Sequence, residues 1–310
     1  MKAFAITARD TQPTVTDLPQ PEPGAGEVLV EVELASVNGF DLSVAAGYVW
    51  DMIPHEFPVV LGRDLVGTVT AVGDGVERIS VGDRVAGVIP GMALGPRTGT
   101  LTEYVAVPAT AVTPVPAGVD AQQAAVIGLA GVAAHDALQA LDVQAGDTVL
   151  ISGATGGVGS IAVQLAAAAG ATVIGTARPG EEHEYVRSLG AAHTVDYTGD
   201  IPAAARAIAP QGVDKILHAA GDAAALASTQ KPGGTLASTR GASTDEVGRD
   251  DVTVAPIMAA ATADKIATLL DHAAKGEIRV NIETAVPLER APEAFAVFAD
   301  GTLGKVLIAR

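Results

Sequence analysis

Asn38 and Asp41 are residues whose types and spacing could do chemistry. The segment EVLVEVELASV has the apolar character of a strand and runs into Asn38, three residues before Asp41. An amide N–H at the end of a strand can stabilise negative charge that develops on a ligand's carbonyl oxygen. Asp41 cannot donate a hydrogen bond while it is ionised, so we expect it to orient Asn38, a water or a bound ribose. The alternative is that Asn38 only satisfies backbone groups where the strand ends.

The next segment, GYVWDMIPHEFP, is rich in aromatic side chains. It carries Tyr48, which could donate a hydrogen bond or a proton, and Trp50, the only tryptophan of the chain. Because this segment directly follows the amide and the carboxylate, we expect it to line the same site, where a flat substrate could stack on an aromatic ring. The alternative for both side chains is packing. Farther on, Arg63 could supply a cation to the site, or it could pair with Asp41 or Asp64.

A glycine-rich turn between an apolar strand and an alanine-rich helix is the strongest local pattern in the sequence. In VLISGATGGVGSIAVQLA the strand runs into the turn, and we expect the helix to begin at about Val158. The turn follows the dinucleotide-binding pattern GxGxxG, except that alanine replaces the first glycine. The other glycines let the backbone approach a pyrophosphate, and the helix N-terminus directs its N–H groups at the phosphates. A purely structural turn is the alternative. The predicted contacts are Ala154, Thr155, Gly156, Gly157, Val158 and Gly159.

The end of the next strand predicts which dinucleotide binds. An NAD-selective site usually places an acid there, on the ribose 2′-hydroxyl, but this chain has Thr176 and Arg178 at the tip. Arg178 could instead bind a 2′-phosphate through charge-assisted hydrogen bonds, which favours NADPH. The alternative is that Arg178 is a solvated loop residue and that Glu181 or Glu182 turns back to the ribose.

The strands and helices that must position these residues belong to two parts of the chain with different sequence patterns. Residues 1–115 contain short Val- and Leu-rich segments broken by Gly and Pro, which predicts a small antiparallel barrel or sandwich. From about residue 120, apolar strands alternate with helices, which predicts a parallel sheet covered on both faces and hence an α/β fold. After about residue 260, a helix, a strand, a helix and a strand follow, and we expect this tail to return to the N-terminal domain.

Composition excludes several classes of function. The 310 residues carry a net charge of −17, so the basic face of a nucleic-acid-binding protein is not expected. The chain has no cysteine, which excludes disulfides, iron–sulfur clusters and cysteine-ligated zinc. No signal peptide is predicted, and no uncharged apolar run is long enough for a membrane helix. We therefore expect an ordinary cytoplasmic protein without a membrane partner.

With these residues in place, the chain resembles the zinc-independent quinone oxidoreductases of the medium-chain dehydrogenase/reductase superfamily. The resemblance covers nearly the whole length, and it is carried by PGAGEVLVEVELASVNGFD, FPVVLGRDLVGTVTAVGDGV, VGDRV, LTEYVAVP, GATGGVGSIAVQLA, VRSLGA, KPGG and GKVLI. It implies a GroES-like β-barrel catalytic domain at residues 1–118, completed by 278–310. It also implies a Rossmann NADPH-binding domain at 119–277, with the substrate in the cleft between the two.

The resemblance also implies how the site departs from that of metal-dependent relatives. Their zinc ligands align with Asn38, Arg63 and Leu129, which cannot form a tetrahedral zinc site, so no metal is expected. Ser43 and the run GVAAH differ from residues that quinone reductases place near the substrate. Tyr197 matches a tyrosine that the family places near the 2′-phosphate, with a solvated surface tyrosine as the alternative reading. Further coenzyme contacts are expected at two strand ends, from Ala219, Ala220, Gly221, Ser238, Thr239 and Arg240.

The implied function is metal-independent hydride transfer from NADPH to a quinone or an activated carbonyl compound. An enoyl or alkenal reductase acting on an α,β-unsaturated carbonyl is a close alternative, because it uses the same hydride step. A non-catalytic NADPH-binding redox sensor is an alternative of another class. The family commonly dimerises through edge strands of the Rossmann sheet, and VTVAP at 252–256 is the predicted edge strand, so we expect a homodimer.

Overall fold

The computed structural model describes residues 1–310 and contains sixteen strands and nine α-helices. The strands are β1 (Lys2–Ile6), β2 (Thr14–Asp17), β3 (Glu27–Ser36), β4 (Val59–Val60), β5 (Asp64–Val72), β6 (Arg84–Val88), β7 (Tyr104–Pro108), β8 (Val112–Pro114), β9 (Thr148–Ser152), β10 (Thr172–Thr176), β11 (His193–Val195), β12 (Val213–His218), β13 (Gln230–Ser238), β14 (Thr253–Pro256), β15 (Ile282–Pro287) and β16 (Lys305–Ala309). The helices are α1 (Gly39–Ala45), α2 (Ala121–Leu141), α3 (Gly157–Ala168), α4 (Glu181–Ser188), α5 (Ile201–Ile208), α6 (Ala223–Ala227), α7 (Thr244–Val247), α8 (Ala263–Ala274) and α9 (Ala291–Ala299).

The chain divides into two compact units. Unit 1 comprises Met1–Leu129, Ala261–Gly276 and Asn281–Arg310, and unit 2 comprises Ala130–Ala260 and Glu277–Val280. Segment 261–276, which the sequence analysis assigned to the second domain, therefore belongs to unit 1. Its helix α8 packs against strands β6 and β8, which accounts for that membership. The chain passes from unit 1 into unit 2 within helix α2.

Unit 1 is built around the long strand β3. Val28, Val30 and Val32 are buried along this strand, as expected of β-branched residues on one packed face. Strand β3 pairs antiparallel with β5, β7 and β16 in a seven-stranded sheet, while β1, β2 and β4 form a separate three-stranded sheet. The predicted return of the tail is confirmed, because β16 pairs with β3 and β15 pairs with β16.

Unit 2 contains a six-stranded parallel sheet with the order β11-β10-β9-β12-β13-β14. Leu150, Ile174, Ile216 and Leu236 come from four adjacent strands and are fully buried in one cluster. Such continuous apolar strands are typical of a parallel sheet. The predicted edge strand is confirmed, because β14 is the outermost strand on one side of this sheet. The fold class predicted from the sequence is therefore the one observed.

Helix α2 is long and apolar enough to cross a membrane, judged by length and composition alone. Two thirds of its most apolar window, 67%, is buried inside the protein. The core helix of a globular domain passes the same test, so this helix is weak support for a membrane span.

Candidate functional site

A cluster of buried polar side chains lies where three strands of unit 1 begin or end. Each of its members is at most 7% exposed. Buried polar groups of this kind must find partners inside the protein, so their contacts determine their role. The cluster consists of Ser36, Asn38, Asp41, Arg63, Asp64 and Lys305.

Asn38 lies at the centre of this cluster, and each polar atom of its side chain has a partner in the protein. Its Nδ2 donates to the carbonyl of Ser36 (3.1 Å) and to Oδ2 of Asp64 (3.1 Å). Its Oδ1 accepts from the Lys305 ammonium (2.6 Å). An amide has two N–H donors, and both are used here. The bond to the Ser36 carbonyl agrees with the alternative reading of Asn38, in which it satisfies backbone at the strand end.

Asp41 forms the other half of the pattern, and its carboxylate binds two backbone N–H groups. Oδ2 accepts from Asn38 N (2.8 Å) and Oδ1 accepts from Gly62 N (3.0 Å). Asn38 is the N-cap of helix α1 and Asp41 is its third residue, so the acid reaches back to the helix start as in a capping box. Burial raises the pKa of Asp41 to about 6, although the N–H donated by Asn38 acts in the opposite direction.

Lys305 ties the C-terminal strand into the cluster. Its ammonium donates to the carbonyl of Val37 (2.8 Å) as well as to Asn38, and the side chain is only 2% exposed. Burial lowers the pKa of Lys305, opposed by the nearby carboxylates of Asp64 and Asp41. Because Lys305 is 267 positions from Asn38, this contact closes unit 1 over a long sequence distance.

Arg63 is buried, and it binds backbone carbonyl groups instead of forming an ion pair with Asp64. Its Nη2 donates to the carbonyl of Ile89 (2.8 Å) and to that of Gly91, and its guanidinium lies 5.5 Å from the centroid of the Phe40 ring. Nη1 has no hydrogen-bond partner. Burial lowers the pKa of Arg63, opposed by the carboxylates of Asp41 and Asp64.

The aromatic segment divides into a packed part and an exposed part. Trp50 is 6% exposed and contacts the rings of His55 and Phe57 at centroid distances of 5.1 and 5.4 Å. Trp50 therefore follows the packing alternative. Tyr48 is 77% exposed, which leaves it accessible to a ligand.

The glycine-rich turn in unit 2 lies between β9 and α3, as predicted. A Cβ on Gly159 would lie 2.1 Å from the carbonyl oxygen of Gly153, so only glycine allows this approach of helix and strand. A Cβ on Gly156 would meet nothing closer than 3.6 Å. Gly156 is the N-cap of α3 and provides no side-chain cap, whereas α5 and α8 are capped by Asp200 and Thr262. The first N–H groups of α3 thus have no side-chain cap and can receive a phosphate.

Thr176 supports this turn from the neighbouring strand. Its hydroxyl accepts a hydrogen bond from Gly153 N (2.9 Å), and the side chain is buried. Thr176 therefore helps to fix the position of the turn, and its predicted contact with a coenzyme stays a prediction. Ala154 is fully buried, while residues 155–158 are partly exposed.

Hydrogen bonds also fix the loops that follow β9, β12 and β13. The hydroxyl of Ser152 accepts from the N–H groups of Ala219 and Ala220 at 3.1 and 3.3 Å. The hydroxyl of Ser238 accepts from Arg240 N and Ala242 N, both at 3.1 Å. The predicted contacts at these two strand ends thus lie on loops of defined conformation. Ala219 and Thr239 are partly exposed, whereas Ala220, Gly221 and Arg240 are exposed.

His218 connects these loops and was missed by the sequence analysis. Its Nε2 lies 3.0 Å from the carbonyl oxygen of Gly221, which can only accept, so Nε2 carries the proton. Its Nδ1 lies 3.0 Å from the Ser238 hydroxyl and can accept from it. The HAAG segment at the end of a strand was the signal available, but it does not show which way the ring points.

The predicted 2′-phosphate residues lie together, and an acid lies with them. Glu182 Oε1 accepts from Arg178 Nε (2.7 Å) and from the Tyr197 hydroxyl (3.1 Å), and its Oε2 accepts from Arg178 N (2.8 Å). The Arg178 guanidinium lies 5.8 Å from the centroid of the Tyr197 ring. Burial raises the pKa of Glu182, but the hydrogen bonds from Arg178 and Tyr197 outweigh it and hold the pKa below its usual value.

Two family models match the chain, one in each part. The model described as "Alcohol dehydrogenase GroES-like domain" matches residues 24–117, and that described as "Zinc-binding dehydrogenase" matches residues 157–263. The second description implies zinc, but the residues present do not fit it. No group of three His, Cys, Asp or Glu side chains lies close enough together to hold a metal ion. Asn38 and Arg63, two positions aligned with zinc ligands, instead bind protein groups.

The relatives agree with this family. The chain is 28% identical to a chloroplast envelope quinone oxidoreductase homolog of Arabidopsis thaliana, over 94% of this chain and 92% of the relative. It is similar to the structure of the quinone oxidoreductase from Coxiella burnetii (TM-score 0.88, 25% identity, 100% and 99% of the two chains). It is also similar to a mycobacterial protein solved in complex with NADPH (TM-score 0.87, 29% identity, 100% of both chains). The chain therefore belongs to the medium-chain dehydrogenase/reductase superfamily, in its quinone oxidoreductase-like family.

Proposed function

We propose that this protein is a metal-independent oxidoreductase that reduces a quinone or another activated carbonyl compound at the expense of NADPH. The observation that carries the proposal is the turn between β9 and α3, where Gly159 permits the close approach and the helix N-terminus has no side-chain cap. Residues 153–159 fit a pyrophosphate because backbone N–H groups and the positive end of the helix face one small region. A bound reduced nicotinamide would supply the hydride.

The adenosine end of the coenzyme is proposed to lie at Arg178 and Tyr197. Arg178 has further N–H donors beyond the edge that faces Glu182, and its side chain is 59% exposed. A guanidinium with donors directed to solvent suits the oxygens of a 2′-phosphate. Ser152, His218 and Ser238 hold the neighbouring loops in place, so we propose a positioning role for these three.

On the substrate side, we propose that Tyr48 is the donor to the carbonyl oxygen. Negative charge develops on that oxygen during reduction, and without a metal a hydrogen-bond donor must stabilise it. Both N–H groups of Asn38 already bind protein acceptors, whereas Tyr48 is exposed. Asn38 and Asp41 are accordingly proposed as positioning residues that fix the start of α1, the helix leading to Tyr48.

An enoyl or alkenal reductase remains the second candidate, since hydride addition to an enone leaves the same charge on oxygen. A panel of quinones, 2-enals and enoyl thioesters, each followed by oxidation of NADPH and NADH, tests both. Quinone reduction with slow or no enone reduction supports the leading proposal, and the reverse preference supports the second. Binding of NADPH without oxidation by any member of the panel would favour the non-catalytic redox sensor.

Tyr48→Phe tests the proposed role of Tyr48 as the hydrogen-bond donor. The variant keeps the ring and removes the hydroxyl, so the proposal predicts a lower kcat with unchanged binding of the coenzyme. A variant with wild-type kcat would exclude Tyr48 as the donor.

We further propose that the protein is a cytoplasmic homodimer. Strand β14 is the outer strand of the parallel sheet, and an edge strand offers unpaired backbone groups to a second copy. Sedimentation should show a dimer, and Val254→Pro, which removes a backbone N–H from β14, should weaken it.

A further inference from the structure

Glu182 occupies one edge of the Arg178 guanidinium and the Tyr197 hydroxyl, two groups that a 2′-phosphate could bind. Its carboxylate accepts from both Arg178 Nε and the Tyr197 hydroxyl, at 2.7 and 3.1 Å. A phosphate arriving at the same place would be another anion seeking the same two donors. The carboxylate therefore stands where it competes with the ligand.

Glu182 is held so that it does not readily leave this position. Its second oxygen accepts from the backbone N–H of Arg178 at 2.8 Å, and its side chain is only 15% exposed. Glu182 lies in the first turn of α4, where the helix dipole also favours a negative charge. Displacing it would break several hydrogen bonds at once.

The charge around this group also disfavours a second anion. The first turn of α4 carries Glu181, Glu182 and Glu184, and the Asp196 carboxylate is near enough to Arg178 to interact with it electrostatically. Arg178 is ion-paired with Glu182, so its charge is largely compensated. The net negative charge here repels a 2′-phosphate dianion. It does not repel a neutral ribose 2′-hydroxyl, and this hydroxyl can donate a hydrogen bond to a carboxylate.

We propose that Glu182 is an internal competitor for the 2′-phosphate and thereby sets the coenzyme selectivity. The protein accordingly prefers NADPH over NADH only weakly, and removal of the Glu182 charge strengthens that preference. This inference rests on the proposed function, because it concerns the coenzyme of that reaction.

The test is calorimetric binding of two adenosine fragments, adenosine 2′,5′-bisphosphate and ADP, which reports on this subsite without turnover. In Glu182→Gln the amide oxygen can still accept from Arg178 N, while the guanidinium loses its carboxylate partner. The matched control is Glu184→Gln, which makes the same charge change in the same helical turn. Arg178→Ala in the wild-type and Glu182→Gln backgrounds completes the set.

We expect Glu182→Gln to bind the 2′,5′-bisphosphate about tenfold more tightly, equivalent to about 1.4 kcal/mol, with ADP affinity changed less than about twofold. Glu184→Gln should change both affinities by less than about threefold. Arg178→Ala should cost more 2′,5′-bisphosphate affinity in the Glu182→Gln background than in the wild type. An unchanged or weaker affinity of Glu182→Gln for the bisphosphate would overturn the inference, because Glu182 would then position Arg178 for the phosphate.

The two proposals can fail separately. If the fragments bind as expected but no carbonyl compound is reduced, the inference stands and the reductase function fails. If the folded wild-type protein and all variants bind neither fragment, the inference is refuted together with the coenzyme site.

Discussion

Replacing Lys305 with methionine should destabilise unit 1 specifically. Lys305 is buried, and its ammonium donates to the carbonyl of Val37 and to Oδ1 of Asn38 at 2.8 and 2.6 Å. Methionine has a similar length and no donor, so both acceptors would be left without this partner. The carboxylates of Asp41 and Asp64 would also lose their buried cation.

The expected loss follows from these contacts. A buried acceptor left without a donor costs about 1–3 kcal/mol, and two acceptors are affected. Methionine offsets part of this loss of stability, because no ammonium has to be desolvated on folding. Removing one partner of a buried group of charges, here the cation near Asp41 and Asp64, costs about 3–5 kcal/mol. We therefore expect Lys305→Met to lower the free energy of unfolding of unit 1 by about 2–4 kcal/mol.

Trp50 makes the measurement specific. It is the only tryptophan, it lies in unit 1, and it is 6% exposed, so its fluorescence in a urea titration reports the unfolding of that unit. Far-UV circular dichroism recorded on the same samples follows both units. The fluorescence midpoint should fall in the variant, and this resolves a loss in unit 1 even when the two units unfold separately.

Lys275→Met is the matched control, since Lys275 is an exposed lysine of the same unit. It should change the fluorescence transition by less than about 0.5 kcal/mol. The reasoning is refuted if Lys305→Met shows an equally small change. Asn38→Ala should give a loss that adds less than fully to that of Lys305→Met, because the two residues share a hydrogen bond.

Three further predictions concern other parts of the site. The folded pKa of Asp41 is raised to about 6 from 3.8, so folded protein binds a proton more tightly and the stability of unit 1 falls as pH rises from about 4 to about 6. Asp41→Asn should flatten that slope by at most about 1.4 kcal/mol per pH unit, as measured by urea titration followed by Trp50 fluorescence. An unchanged slope would show that Asp41 does not titrate in this pH range. Gly159→Ala should lower both the melting temperature and NADPH affinity because its Cβ would meet Gly153 O at 2.1 Å, whereas Gly156→Ala, with 3.6 Å of room, should keep the wild-type melting temperature; equal melting curves for the two variants would contradict this. Prolonged EDTA treatment should leave the reductase rate unchanged, and activity that is lost and then restored by zinc would contradict the metal-free site.

The sequence predicted the parts of the fold that depend on local pattern. The strand, turn and helix around Gly159 follow from an apolar run and closely spaced glycines. The edge position of β14 and the return of the C-terminal tail to unit 1 also agree with prediction. These features depend on apolar periodicity and on glycine, and both can be read within a short window.

The roles in the polar cluster could not be read in the same way. Asn38 followed by Asp41 at the third helical position is a helix-start signal, in line with the alternative that Asn38 satisfies backbone groups where the strand ends, and a chemical role for the two residues stays a prediction. The contact of Asn38 with Lys305 joins residues 267 positions apart, which no local pattern reveals. The hydrogen bond between Arg178 and Glu182 depends on the direction of the side chains at the start of α4. The sequence therefore did not distinguish Glu181 from Glu182, and in the structure it is Glu182 that contacts Arg178.

The most direct test of the central claim is the steady-state oxidation of NADPH and of NADH by the purified protein with 9,10-phenanthrenequinone as acceptor, in the presence of EDTA. Quinone-dependent oxidation of reduced coenzyme should survive the chelator and fall in Tyr48→Phe. Binding of coenzyme without any quinone- or enone-dependent oxidation would contradict the central claim.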